Sequence, residues 1–83
     1  MTIMELGNKL NDMYENAPRN EQSAMIHLFA IIFANEIEAS GATNAEIVKA
    51  AKMGISYQVE VAKGRKLAKY VSVNPETIKK YKG

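Results

Sequence analysis

Leu67-Ala-Lys-Tyr-Val-Ser-Val-Asn-Pro-Glu-Thr-Ile-Lys-Lys-Tyr81 reads as the end of one helix, a short corner and the start of another. Leu67, Ala68 and Val71 fall on one helical face, and Ile78 and Tyr81 share a face of the following helix. Val73 sits in the corner between them. Asn74-Pro75 marks the restart: Asn is a favourable N-cap, and Pro at the first helical position gives up an amide that has no intrahelical acceptor.

Upstream, the same 3.6-residue period continues. Thr2 and Glu5 form a capping box, followed by Ile3, Leu6, Leu10 and Met13 on one stripe, which predicts a helix over about residues 3–16. Asn16-Ala17-Pro18 ends it. Asn20 is the expected N-cap of a second helix, over about 21–39, with Met25, Leu28, Phe29, Ile32, Phe33 and Ile37 as its main face. Ala24, Ile31 and Ala34 widen that apolar surface, so the helix has to be covered on several sides. Ser40-Gly41 closes it. Thr43 and Glu46 form a second capping box and open a third helix over about 44–53, with Ile47, Ala50 and Ala51 inward and Gly54 as its stop. Ser56 is expected to cap a fourth helix, over about 57–71, with Tyr57, Val61, Gly64, Ala68 and Val71 buried. Gly64 weakens a helix by about 1 kcal/mol relative to Ala, which points to a place where another backbone comes close. A fifth helix covers about 75–81. No segment sustains period-two alternation. The expected fold is all-α: one domain over residues 1–83, a compact bundle of about five helices.

Composition narrows the function. The chain has 83 residues, of which 47% are hydrophobic, with no cysteine and one histidine. A disulfide scaffold, thiol chemistry and a His/Cys metal cluster are therefore excluded. No EF-hand loop, no phosphate-binding glycine loop and no Ser–His–Asp set is present, so neither catalysis nor a cofactor is expected. The longest apolar stretch, Ala24 to Ala34, is too short for a membrane span, which needs about 20 residues. The N-terminus carries no signal-peptide pattern, and a cytoplasmic address is the default expectation. His27, on the most apolar helix, is expected to be a partly buried histidine satisfied by a neighbour.

Net charge is only +2, but it is divided unevenly. Residues 1–41 hold two basic side chains against six acidic ones, and residues 42–83 hold nine basic against three acidic. An acidic half followed by a basic half points to a polyanion as the partner of the second half. The plain alternative is a set of solvated helix faces.

The segment 67–81 resembles the helix-turn-helix of DNA-binding proteins, with Ala68 as the small packing residue, Val73 as the corner plug, and Ile78 and Tyr81 seating the second helix. It departs from that pattern in having Ser72 where glycine is usual. The resemblance implies a helix-turn-helix-like, tri-helical C-terminal half and non-catalytic binding of double-stranded DNA, as in a transcription regulator or the targeting module of a larger system. The residues it implicates are Asn74, Thr77, Lys79, Lys80 and Lys82 on the last helix and Lys63, Arg65, Lys66 and Lys69 on the preceding one. Thr77 and Lys80 are expected near base edges, and Lys79 and Lys82 near phosphates. A second register fits residues 43–71, with Ile47, Ala51 and either Val59 or Val61 packing, and with Tyr57, Gln58, Lys63 and Arg65 facing the ligand. A homodimer through Met25, Phe29, Ile32 and Phe33 would pair two half-sites. If that apolar face instead lies open to other proteins, the chain is a helical adaptor.

Overall fold

The computed structural model describes all of residues 1–83 and contains six α-helices and no strand. They are α1 (Ile3–Glu15), α2 (Gln22–Ile32), α3 (Ala34–Ser40), α4 (Asn44–Ala50), α5 (Gln58–Leu67) and α6 (Pro75–Lys82), with a 3-10 turn at Ile55–Tyr57. The all-α expectation holds. Helix α2 lies between α1 and α5, while α4 closes the bundle by packing on both α1 and α5.

Both capping boxes form. Thr2 Oγ1 accepts the Glu5 amide at 3.1 Å while the Thr2 amide donates to Glu5 Oε1 at 2.8 Å, and Thr43 and Glu46 repeat this at 3.1 and 2.9 Å. These amides hold both carboxyls below the usual carboxylate range. Leu6, Leu10 and Met13 of α1, Ile47, Val48 and Ala51 around α4, and Val61 of α5 are all buried against Ile26, Phe29, Ala30, Phe33 and Ile37.

Two glycines set the helix crossings. A Cβ on Gly64 would lie 2.6 Å from Ala30 Cβ and 2.7 Å from the His27 carbonyl oxygen, so α5 meets α2 backbone to backbone at the place expected for Gly64. A second crossing lies at Gly7. A Cβ on Gly7 would lie 2.5 Å from Ala50 Cβ, and α1 rests on α4 there.

Several local expectations need correction. The long second helix is broken at Phe33 (φ −100°, ψ 19°), giving α2 and α3. No proline or glycine marks this joint, so the apolar spacing reads straight through it. Asn20 is not the N-cap: it adopts φ 68°, a left-handed conformation that Asn tolerates, and Glu21 precedes the helix without a side-chain cap. Helix α4 ends at Ala50, with Lys52 at φ 59° rather than Gly54 turning the chain. Ser56 lies within the 3-10 turn and caps nothing. The face expected to form a dimer contact is largely internal: Phe29, Ile32 and Phe33 are buried in the chain's own core and Met25 is half-buried. The open patch needed for the adaptor reading is therefore absent from those residues.

Helix α6 begins as expected, with Asn74 Oδ1 accepting the Thr77 amide at 2.8 Å and Pro75 in the first turn. Its anchor lies at the other end. Tyr81 donates its hydroxyl to Met25 Sδ at 3.6 Å. Lys82 Nζ reaches the Ile32 carbonyl at 3.3 Å and Glu36 Oε2 at 2.6 Å, and it sits 5.6 Å from the centre of the Phe33 ring. The Ile32 carbonyl accepts no backbone amide, because the Phe33 break interrupts the ladder. The last side chain of α6 thus satisfies the α2–α3 joint. The expected seat on Ile78 is not made: Tyr81 packs on the core, but Ile78 remains 37% exposed.

Gly64→Ala should destabilise the fold by about 1–2 kcal/mol in urea denaturation, because overpacking of about 1–3 kcal/mol outweighs the helix propensity gained. Burial pushes the Glu36 carboxyl up, but hydrogen bonding from Lys82 and its own amide, together with the Lys82 charge, outweighs this and leaves it below its ordinary 4.5. A depressed folded-state pKa means that this contribution is full above 4.5 and is lost as pH falls through the lowered value. Amide protection of residues 77–82 should therefore decline in that acid range. Glu36→Gln should weaken that protection already at neutral pH and flatten its acid dependence.

Candidate functional site

Helix α5 has its orientation fixed from within. Val61 and Gly64 face the core, so residues half a turn away face outward. Ile47 and Ala51 on one side of the 51–57 connection and Val61 on the other are fully buried together. This is the packing of the second register, with Val61 inward and Val59 outward. At 67–81 the fit is looser: Val73 and Tyr81 are half-buried, whereas Leu67, Val71 and Ile78 are exposed. Tyr57 is unavailable as a reading residue, since its ring packs edge-on against Tyr14 and the two hydroxyls lie 2.9 Å apart. That hydrogen bond, followed by burial, raises the Tyr14 pKa.

The basic residues of α5 divide into bound and free. Arg65 is half-buried and tied down, with Nη1 donating to Asn44 Oδ1 at 2.9 Å and Nη2 reaching Glu38 Oε1 at 3.2 Å. It links α5 to the start of α4 and the end of α3. Lys63 Nζ lies 3.3 Å from Glu60 Oε2 and is well exposed. Glu60 Oε1 also approaches His27 Nε2 at 3.4 Å, at ion-pair distance but outside hydrogen-bond geometry. Lys66 and Lys69 are exposed and have no carboxylate partner; with Glu38, Asn44, Ala62 and Arg65 they line a shallow depression.

The residues implicated on α6 do not form one surface with these. The Asn74 side chain is occupied as the cap, Thr77 is half-buried, and Lys82 is folded onto Glu36. Lys79 and Lys80 are exposed and unpaired, with Lys80 Nζ 5.3 Å from the Tyr81 ring centre. Around the N-terminal turn of α5, Ile55 and Val59 stand 58% and 54% exposed, and Gln58 is half-buried. Their position follows from a helical wheel once Val61 is fixed as the inward residue. The sequence left Val59 and Val61 as alternatives, so the outward face could not be drawn.

No group of His, Asp or Glu side chains is arranged to hold a metal ion, and no helix is long and apolar enough to cross a membrane. No curated protein and no solved structure matches the chain. A family model described as an HTH-like domain matches residues 2–74, from the Thr2 cap to the residue before α6, and so takes in all of α1 to α5. With the α4–turn–α5 pair packed inside that span, the chain belongs to this family of helix-turn-helix-like domains.

Proposed function

We propose that the domain binds duplex DNA without catalysis, with α5 as the helix that enters the major groove, as a transcription regulator or the targeting module of a larger system does. The observation that carries this reading is the outer face of α5. Lys63 and Lys66 project from the second helix of a helix-turn-helix pair and Lys69 from the turn just after it, and Lys66 and Lys69 are free of intrachain partners. The ten residues of α5 measure about 15 Å, enough to cross a groove about 12 Å wide. Arg65 holds the helix against α4 and presents the rest of its guanidinium beside Lys66 and Lys69. Lys79 and Lys80 add charge at a distance, where they meet phosphates flanking the site. In this reading Asn74 and Lys82 hold α6 in place and Thr77 is half-buried.

A salt titration of binding to a mixed-sequence duplex tests the assignment. Each phosphate contact contributes about 0.9 to the slope of log affinity against log salt, so a Lys63/Lys66/Lys69→Ala variant should lower the slope by about 2–3. Lys79/Lys80→Ala should lower it less. Absence of duplex binding at low salt, or a slope unchanged by the three α5 substitutions, would overturn the reading.

A further inference from the structure

The outward face of α5 is not uniformly charged. Val59, Ala62 and Lys66 follow one another at spacings of three and four and share a face opposite Val61 and Gly64. Ile55, four residues before Val59 and just outside the helix, continues the line as part of the 3-10 turn. Ile55 and Val59 are thus two β-branched side chains, both more than half exposed, at the N-terminal end of a helix whose remaining outward residues are mainly lysines. Neither serves the core, which takes Val61 from this helix. A branched residue on an exposed helical surface also loses rotamer freedom, so local stability gives no reason for Val59. Gln58 stands next to it in sequence, half-buried, with no hydrogen bond from its side-chain amide to another part of the chain.

We infer that this end of α5 selects A·T base pairs, with Val59 and Ile55 packing against thymine 5-methyl groups and Gln58 bonding the adenine edge. The inference rests on the DNA-binding reading of α5. Thymine is the base that displays a methyl group in the major groove, and a glutamine amide matches adenine N6 and N7 as donor and acceptor at once. A recognition helix contacts bases through its N-terminal residues, which here are Gln58 and Val59. The lysines that follow, Lys63 and Lys66, give the same face a charge complementary to phosphate. That complementarity favours a nucleic-acid occupant for the apolar pair. Tyr57, adjacent in sequence, is excluded from the readout by its hydrogen bond to Tyr14.

Replacing thymine by uracil removes the methyl group and leaves the base-pairing edges intact, so it isolates the proposed contact. The full chain would be titrated at one fixed low salt against three duplexes of about three helical turns: alternating A·T, the same duplex with uracil for thymine, and alternating G·C. The A·T duplex should bind about three- to fourfold tighter than its uracil counterpart for each methyl group buried. Val59→Ala should bring that ratio toward one, and Gln58→Ala should shrink the preference for A·T over G·C. Equal affinity for the thymine and uracil duplexes, or a ratio that Val59→Ala does not change, would overturn the base-reading inference while leaving DNA binding standing. Failure to bind any of the three would overturn DNA binding itself, and this inference with it.

Discussion

The contact on which the rest of the structure depends is the crossing of α5 over α2 at Gly64. With Ala30 Cβ and the His27 carbonyl where a Gly64 side chain would begin, the two helix backbones come as close as they can. That closeness fixes the rotation of α5 as well as its position. Once Gly64 and Val61 point at α2, the helix has no freedom to choose which residues it presents outward. Gly7 on Ala50 does the same for α1 on α4, and α4 in turn packs on α5, with Ile47 and Val61 both in the buried core. Two glycine–alanine crossings therefore determine the geometry of the helix-turn-helix pair. Bulkier residues at these points would separate the helices and open the core between them.

What was legible in the sequence is what local chemistry decides. The Thr2–Glu5 and Thr43–Glu46 boxes, the Gly41 terminator and the Asn74-Pro75 start each act within a few residues, and each forms as read. Gly64 was legible for a different reason: a helix former would be cheaper there, so its presence implies a contact. The same logic applied to Gly7 would have found the second crossing. The Phe33 joint was not legible, because it has no local breaker and its freed carbonyl is satisfied by Lys82, 50 residues along the chain. The choice of Lys52 over Gly54 for the left-handed position was equally hidden. The outward face of α5 hinged on Val59 against Val61, and that choice is made by packing on α2, a tertiary fact.

The uneven charge of the chain also changes meaning once the fold is known. Part of the acidic first half exists to meet the basic second half within the same molecule. Glu36 takes Lys82, and Glu38 takes Arg65. These pairs join the late helices to the α2–α3 region, so some of the asymmetry is internal complementarity. Lysines in the last turns of α5 and α6 also have a local reason to be there, since cations favour helix C-termini. Neither effect accounts for the exposed valine and isoleucine at the beginning of α5.

The number of basic residues in the second half therefore says little about a polyanion partner for α5. What matters is which of them remain after the intrachain pairs are removed, and where those lie relative to the crossing at Gly64. Arg65 and Lys82 drop out as mainly structural. Lys66 remains on α5 and Lys69 in the turn just after it, with Lys63 shared with Glu60. All three fall outside the buried arc set by Val61 and Gly64, on or just after the helix that the α4–turn–α5 packing orients most firmly. The direction of this surface is imposed by the crossing at Gly64, and two of its three lysines have no partner within the chain, which supports the proposed external partner. Helix α6, held by Tyr81 and a single lysine at the Phe33 joint, has no comparable constraint on its outer face. That difference in packing supports the proposal that α5, and not α6, is the reading helix.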